Sequence, residues 1–99
     1  MALFAVSFML EDGSDYNDRY AALAKAIEQA ADGEIWSETA SFYLLNSSRN
    51  SVGLKEEITS AVALQDGDVL LVINPSKTKG HATSGIAKKA LFKKLIDHR

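Results

Sequence analysis

Carboxylates in turns are the first residues in this sequence whose types and spacing could do chemistry. Glu11 and Asp12 follow an apolar N-terminal stretch, and Asp66 and Asp68 flank Gly67 just before an apolar run. A Mg²⁺ site needs only one or two carboxylates, with water and phosphate completing the shell, so Glu11, Asp12 and Asp68 are candidate catalytic positions for a metal-dependent nuclease. Turn formation is their plainer use, because acidic residues abound in turns. His81 and His98 have neither a metal-ligand spacing nor a nearby Ser/Asp partner and read as solvent-exposed spectators. Ser37 and Ser41 lack a visible base. The chain has no HExxH, GxSxG or CxxC signature, and Gly80 and Gly85 do not make a phosphate loop. No cofactor is expected, and Mg²⁺ enters only under the nuclease reading.

Trp36, Phe42 and Tyr43 fall where sheet-type RNA binders place base-stacking residues, but the Lys/Arg-Gly-Phe/Tyr signature of that module is absent. Core or dimer packing accounts for them more simply. The lysines say more. Residues 1–74 hold four basic and twelve acidic side chains, net −8, whereas residues 75–99 hold seven basic ones and Asp97, net +6. Segregated charge of this kind marks an interaction segment. Either the basic segment packs on an acidic body, its own or a partner's, or Lys77, Lys79, Lys88, Lys89 and Lys93 contact phosphates of RNA or DNA.

Ninety-nine residues make one core, and a chain of this size buries about 65 % of its unfolded surface. The absence of cysteine excludes disulfides and thiolate zinc sites and suits a cytoplasmic address. The apolar stretch at residues 1–10 has no basic leader and is broken by Glu11-Asp12-Gly13, so it reads as a strand, and no stretch is long and apolar enough to span a membrane.

These residues need elements to position them. Val69 to Ile73 is apolar at every position, has strand length and stops at Asn74-Pro75, which predicts an interior strand. Residues 3–10 alternate, with Phe4, Val6 and Phe8 on one side of a second interior strand. Tyr16, Tyr20, Leu23, Ala24, Ile27 and Ala31 make the stripe of a helix, with Ser14 or Asp15 as its cap and Gly33 as a left-handed stop. Residues 34–37 and 39–46 predict two strands separated by a bend or bulge at Ser37-Glu38-Thr39. Ser51 is placed to cap a second helix carrying Leu54, Ile58, Ala61 and Val62. The order is the α+β, ferredoxin-like βαββαβ plan over residues 1–74, an antiparallel sheet with both helices on one face. Residues 75–85 read as a flexible basic linker. Residues 86–99 read as an additional amphipathic helix, with Ala87, Leu91, Phe92, Leu95 and Ile96 on its apolar side. Such a helix must dock, and the open face of the sheet, in the same subunit or across a dimer, is the expected place.

The strands Val-Ser-Phe-Met-Leu, Ser-Phe-Tyr-Leu-Leu and Asp-Gly-Asp-Val-Leu-Leu-Val-Ile, with the Tyr-rich helix, resemble the ferredoxin-like group around the second CRISPR-associated adaptation protein. That group includes VapD-like toxins and SinR-like proteins, and the resemblance covers residues 3–74. It implies a homodimer. Several members are metal-dependent nucleases that use an aspartate near the end of the first strand, after an aromatic. The matching position here is Met9, after Phe8, and a thioether is a poor ligand for Mg²⁺, so Glu11 or Asp12 would have to substitute. The expected function is therefore a small dimeric protein of this kind that contacts nucleic acid without efficient catalysis. The alternatives are a non-enzymatic protein–protein interaction module and a metal-dependent endoribonuclease.

Overall fold

The computed structural model describes residues 2–75, 81–85 and 90–91. Within them the chain runs β1 (Ala2–Met9), α1 (Tyr16–Ala30), β2 (Ile35–Thr39), β3 (Phe42–Ser47), α2 (Ser51–Ala61), β4 (Val69–Ile73) and β5 (His81–Ser84). The strands form one sheet in the order β2-β3-β1-β4-β5, and every neighbouring pair is antiparallel. The architecture is α+β: a five-stranded antiparallel sheet and two helices.

Register divides the residues between two faces. Phe4 pairs with Leu45, Val6 with both Tyr43 and Val72, Phe8 with Leu70, and Val72 also with Ala82. All are buried, and they form one core with Leu23, Ala26, Ile27 and Ala30 of α1 and Leu54 and Ile58 of α2. Both helices therefore cover this face. The stripe expected on α1 is present, with Tyr16, Tyr20, Ala24 and Ala31 at its partly buried margin. The two interior strands are also as expected: β1 lies between β3 and β4, and β4 between β1 and β5.

Local details differ from the sequence reading. The register between β2 and β3 shifts between Trp36 and Thr39, at the expected bulge, but the chain reverses later, at Ala40-Ser41. Ser41 takes a left-handed φ of 57°, costly for a residue with a Cβ. Its N–H donates to the Tyr20 hydroxyl at 3.2 Å, and its carbonyl accepts the Phe8 N–H at 3.1 Å, so α1 and β1 hold the turn in place. Helix α2 is capped by Asn50, whose side chain accepts the Gly53 N–H at 2.7 Å, while Ser51 is buried as the first helical residue. Asp15 occupies the N-cap of α1 without a side-chain bond. That helix ends not at a left-handed Gly33 but with Ala31 turning extended, and the Asp32 N–H then bonds the Asn46 carbonyl at 2.9 Å.

The stretch 75–85 read as a linker holds strand β5, because His81 to Ser84 match the free edge of β4 residue for residue. Lys77, Lys79, Lys88, Lys89 and Lys93, as well as His98, lie outside the described residues. So does the expected C-terminal helix, apart from Ala90 and Leu91, which are helical and exposed. Among the described residues no helix is long and apolar enough to cross a membrane.

Candidate functional site

Among the described residues, two places combine chemistry with accessibility: the acidic corner where β1 ends and β4 begins, and the sheet face away from the helices.

At the acidic corner Asp68 is almost completely buried and its carboxylate is fully engaged. One oxygen accepts the Glu11 N–H at 2.8 Å. The other accepts the Gln65 N–H at 2.7 Å and pairs with the Arg19 guanidinium. Arg19 also donates to the Glu11 carbonyl at 3.4 Å. One side chain thus ties together the loop after β1, the first turns of α1 and the turn entering β4. Burial alone would push the Asp68 carboxyl up. The N–H groups of Gln65 and Glu11 and the Arg19 pair outweigh it and hold the group below its ordinary value.

Asp68 therefore stays ionised as a structural clasp, its side chain closed off from solvent and both oxygens already accepting donors from Glu11, Gln65 and Arg19. Glu11, Asp12 and Asp66 are exposed around it, and the Glu11 carboxylate lies over Gly67 so closely that a Cβ there would collide with it. The fold brings Glu11, Asp12 and Asp68 to one corner. Even so, among the described residues no group of three or more His, Cys, Asp or Glu is arranged to hold a metal ion. Met9, on the sheet face away from the helices, is 60 % exposed. Ser37 is exposed on β2, and Ser41 serves the turn.

The aromatics singled out together separate by register. Tyr43 points into the core and stacks on Phe8, with centroids 6.2 Å apart, and burial pushes its hydroxyl pKa up. Trp36 and Phe42 lie on the other face in an edge contact, with centroids 6.2 Å apart and planes at 79°. The indole N–H donates to Glu38 at 2.6 Å, which satisfies its one polar atom and leaves the ring free to present apolar surface.

That face carries Leu3, Ala5 and Met9 of β1, Leu44 of β3, and Val69, Leu71 and Ile73 of β4. Leu3, Met9 and Trp36 are 46 %, 60 % and 39 % exposed. At the β2 end of the sheet, Leu3, Trp36 and Leu44 of that face, with Ile35 and Leu45 from the helix side and polar Glu34 and Asn46, line an open depression of about 300 Å³. Exposed apolar side chains grouped on one face of a sheet mark a candidate interaction surface.

Sequence reasoning missed both the Arg19–Asp68 pair and this depression. Arg19 is the one basic residue among the first 24, which was the available signal. The depression had none, because it depends on which strands become neighbours. Comparison with protein-family models, with curated proteins and with solved structures returns no match.

Proposed function

We propose that this chain is a small non-enzymatic binding module built on the ferredoxin-like plan, and that it associates as a homodimer through the open apolar face of its sheet. The observation that carries the reading is the exposure of Leu3, Met9 and Trp36 on the side of the sheet that neither helix covers. The succession β2-β3-β1-β4, with both helices on one side, supports the ferredoxin-like plan, β5 being an addition beside β4. The resemblance to the CRISPR-adaptation and VapD-like group, whose members are typically homodimers, points the same way.

The acidic corner favours a non-catalytic reading, since Asp68 already accepts three donors and Met9 stands where that group's nucleases carry an aspartate. Light scattering over a concentration series tests the association. The wild-type chain shifts from monomer to dimer mass, and Trp36→Ser remains monomeric at the same concentrations. A wild-type chain that stays monomeric throughout overturns the homodimer. RNA cleavage with Mg²⁺ that is abolished by Glu11→Ala or Asp12→Ala overturns the non-enzymatic reading.

Charge segregation favours a second reading, in which the same module contacts nucleic acid. The body carries −8 and residues 75–99 carry +6, with Lys77, Lys79, Lys88, Lys89 and Lys93 as the phosphate contacts. Fluorescence anisotropy with short RNA and DNA should then show binding that weakens steeply with salt and is reduced when residues 86–99 are removed. Equal binding by the truncated chain would remove Lys88, Lys89 and Lys93 from the account.

A further inference from the structure

The open face is small, and its size limits how a second copy can sit on it. Along β1 it runs from Leu3 to Met9, six steps or about 20 Å, and the five strands span about 24 Å across. Its outline is therefore about 480 Å², before the relief of the side chains is counted. A stable interface takes about 800 Å² from each partner. Contact at the Leu3–Trp36 end alone falls well short of that, so a second copy has to cover the face from Leu3 to Met9.

The middle of the face suits such cover. On β1, Ala5 and Ser7 are small, while their register partners Leu44 and Phe42 on β3 and Ile73 and Leu71 on β4 are large. The face is thus a shallow trough along β1 between two apolar ridges. β1, β3 and β4 bring no charged residue to it. A charged partner would find nothing there to pair with, whereas the same face of another copy is equally uncharged.

The ends of the trough are unlike. At one end Met9 stands 60 % exposed, and at the other Leu3, Trp36 and Leu44 line the depression of about 300 Å³. Resting on the homodimer reading, we propose that two copies stack their open faces with β1 antiparallel to β1. Each copy then seats Met9 in the depression between Leu3, Trp36 and Leu44 of the other.

Two twofold axes can relate copies stacked in this way, one along the strands and one across them. The first lays Met9 on Met9 and leaves both depressions unfilled. It also brings both acidic corners, with exposed Glu11, Asp12 and Asp66, to one end. The second exchanges the ends, so that one knob and one depression per copy make two contacts by symmetry.

Aligned sheets cross at about −30°. Over the about 10 Å from the middle of β1 to its end, this angle carries the partner's strand sideways by about one strand spacing. With right-handed β-α-β connections the shift is toward β3, where the depression lies. Methionine suits the seat, because its unbranched thioether fills irregular gaps and packs against aromatic edges such as that of Trp36.

Isotope-filtered NOEs test the arrangement in an equal mixture of two full-length chains, one ¹³C-labelled at its methionine methyls and one unlabelled. The Met9 signal is assigned by its loss in Met9→Leu, and Trp36 is the only tryptophan, so its indole protons stand alone. NOEs are expected from the labelled Met9 methyl to the unlabelled Trp36 indole and Leu44 methyls. Met9→Ser, at the far end of β1 from the depression, should weaken the dimer about tenfold without moving the urea midpoint of the monomer. Three results overturn the arrangement in a sample whose light-scattering mass is that of a dimer: NOEs from Met9 to the other copy's Met9 instead, no NOE to Trp36, or unchanged association of Met9→Ser. A monomeric mass is told apart from these, since it overturns the homodimer reading itself and the arrangement with it.

Discussion

Leu3 and Leu45 stand one step apart in the register of neighbouring strands, since Leu45 pairs with Phe4, the residue after Leu3. Leu45 is 2 % exposed and Leu3 is 46 % exposed. The side chains are identical and the backbones are both extended. What differs is parity, because a single step along a strand turns a side chain to the other face. On the helix side, Phe4, Val6, Phe8, Tyr43, Leu45, Leu70, Val72 and Ala82 are buried in packing with α1 and α2. On the other side, the same apolar residue types remain accessible, and they supply the candidate interaction surface. A sheet apolar on both faces but covered by helices on one leaves apolar side chains of the other face accessible.

Substitutions can break this comparison, and the largest effect belongs to the clasp at the end of the sheet. Asp68→Ala strands Arg19 and frees two backbone N–H groups, and should lower stability by about 3–5 kcal/mol in urea unfolding. A loss below about 1 kcal/mol, the net worth of an ordinary hydrogen bond, would show that the corner is not a clasp. Leu45→Ala comes next, at about 2–5 kcal/mol for a buried leucine in a filled core. Asn50→Ala removes the α2 cap and should cost about 1 kcal/mol by thermal or urea denaturation. Leu3→Ser should change folding stability by less than about 0.5 kcal/mol while weakening self-association. If Leu3→Ser destabilises the monomer as much as Leu45→Ala does, the two faces are not different in kind.

Acidification sharpens the same contrast. Asp68 binds its proton less readily when folded than when unfolded, so the unfolded chain takes up more protons as pH falls. The stability that Asp68 confers is complete above the ordinary carboxyl value of 3.8 and is lost as pH drops through the lower folded value. Asp32, held down by the Ser48 N–H, shifts in the same sense from an exposed position. Urea midpoints measured from neutral pH downward should fall through the acidic range, and the fall should be shallower in Asp68→Asn. Parallel curves for the two proteins would remove Asp68 from the acid response.

Much of the architecture is legible in the sequence because it rests on local periodicity. The alternation Phe4-Val6-Phe8, the stripe through Leu23 and Ile27, and the uninterrupted Val69–Ile73 run each state their element and their buried side. β5 was not legible: His-Ala-Thr-Ser has no strong strand pattern, and its pairing depends on the free edge that β4 offers. Nor was the reversal at Ala40-Ser41, since a left-handed serine is tolerable only because Tyr20 and Phe8, distant in sequence, hold it. The same reason hid the candidate site. Asp68 reads as one more turn carboxylate until Glu11, Arg19 and Gln65 converge on it, and Trp36 and Tyr43 read as one aromatic group until register sends them to opposite faces.

Under the proposed homodimer, the open face, and in particular its Leu3–Trp36 end, meets a second copy of this chain. Amide shifts mapped across a dilution series of the ¹⁵N-labelled full chain test it most directly. The account predicts concentration-dependent shifts at Leu3, Trp36 and Leu44, with Leu23, Ala26 and Ile58 unchanged. Shifts confined to the helix side, or none at any concentration, would contradict it.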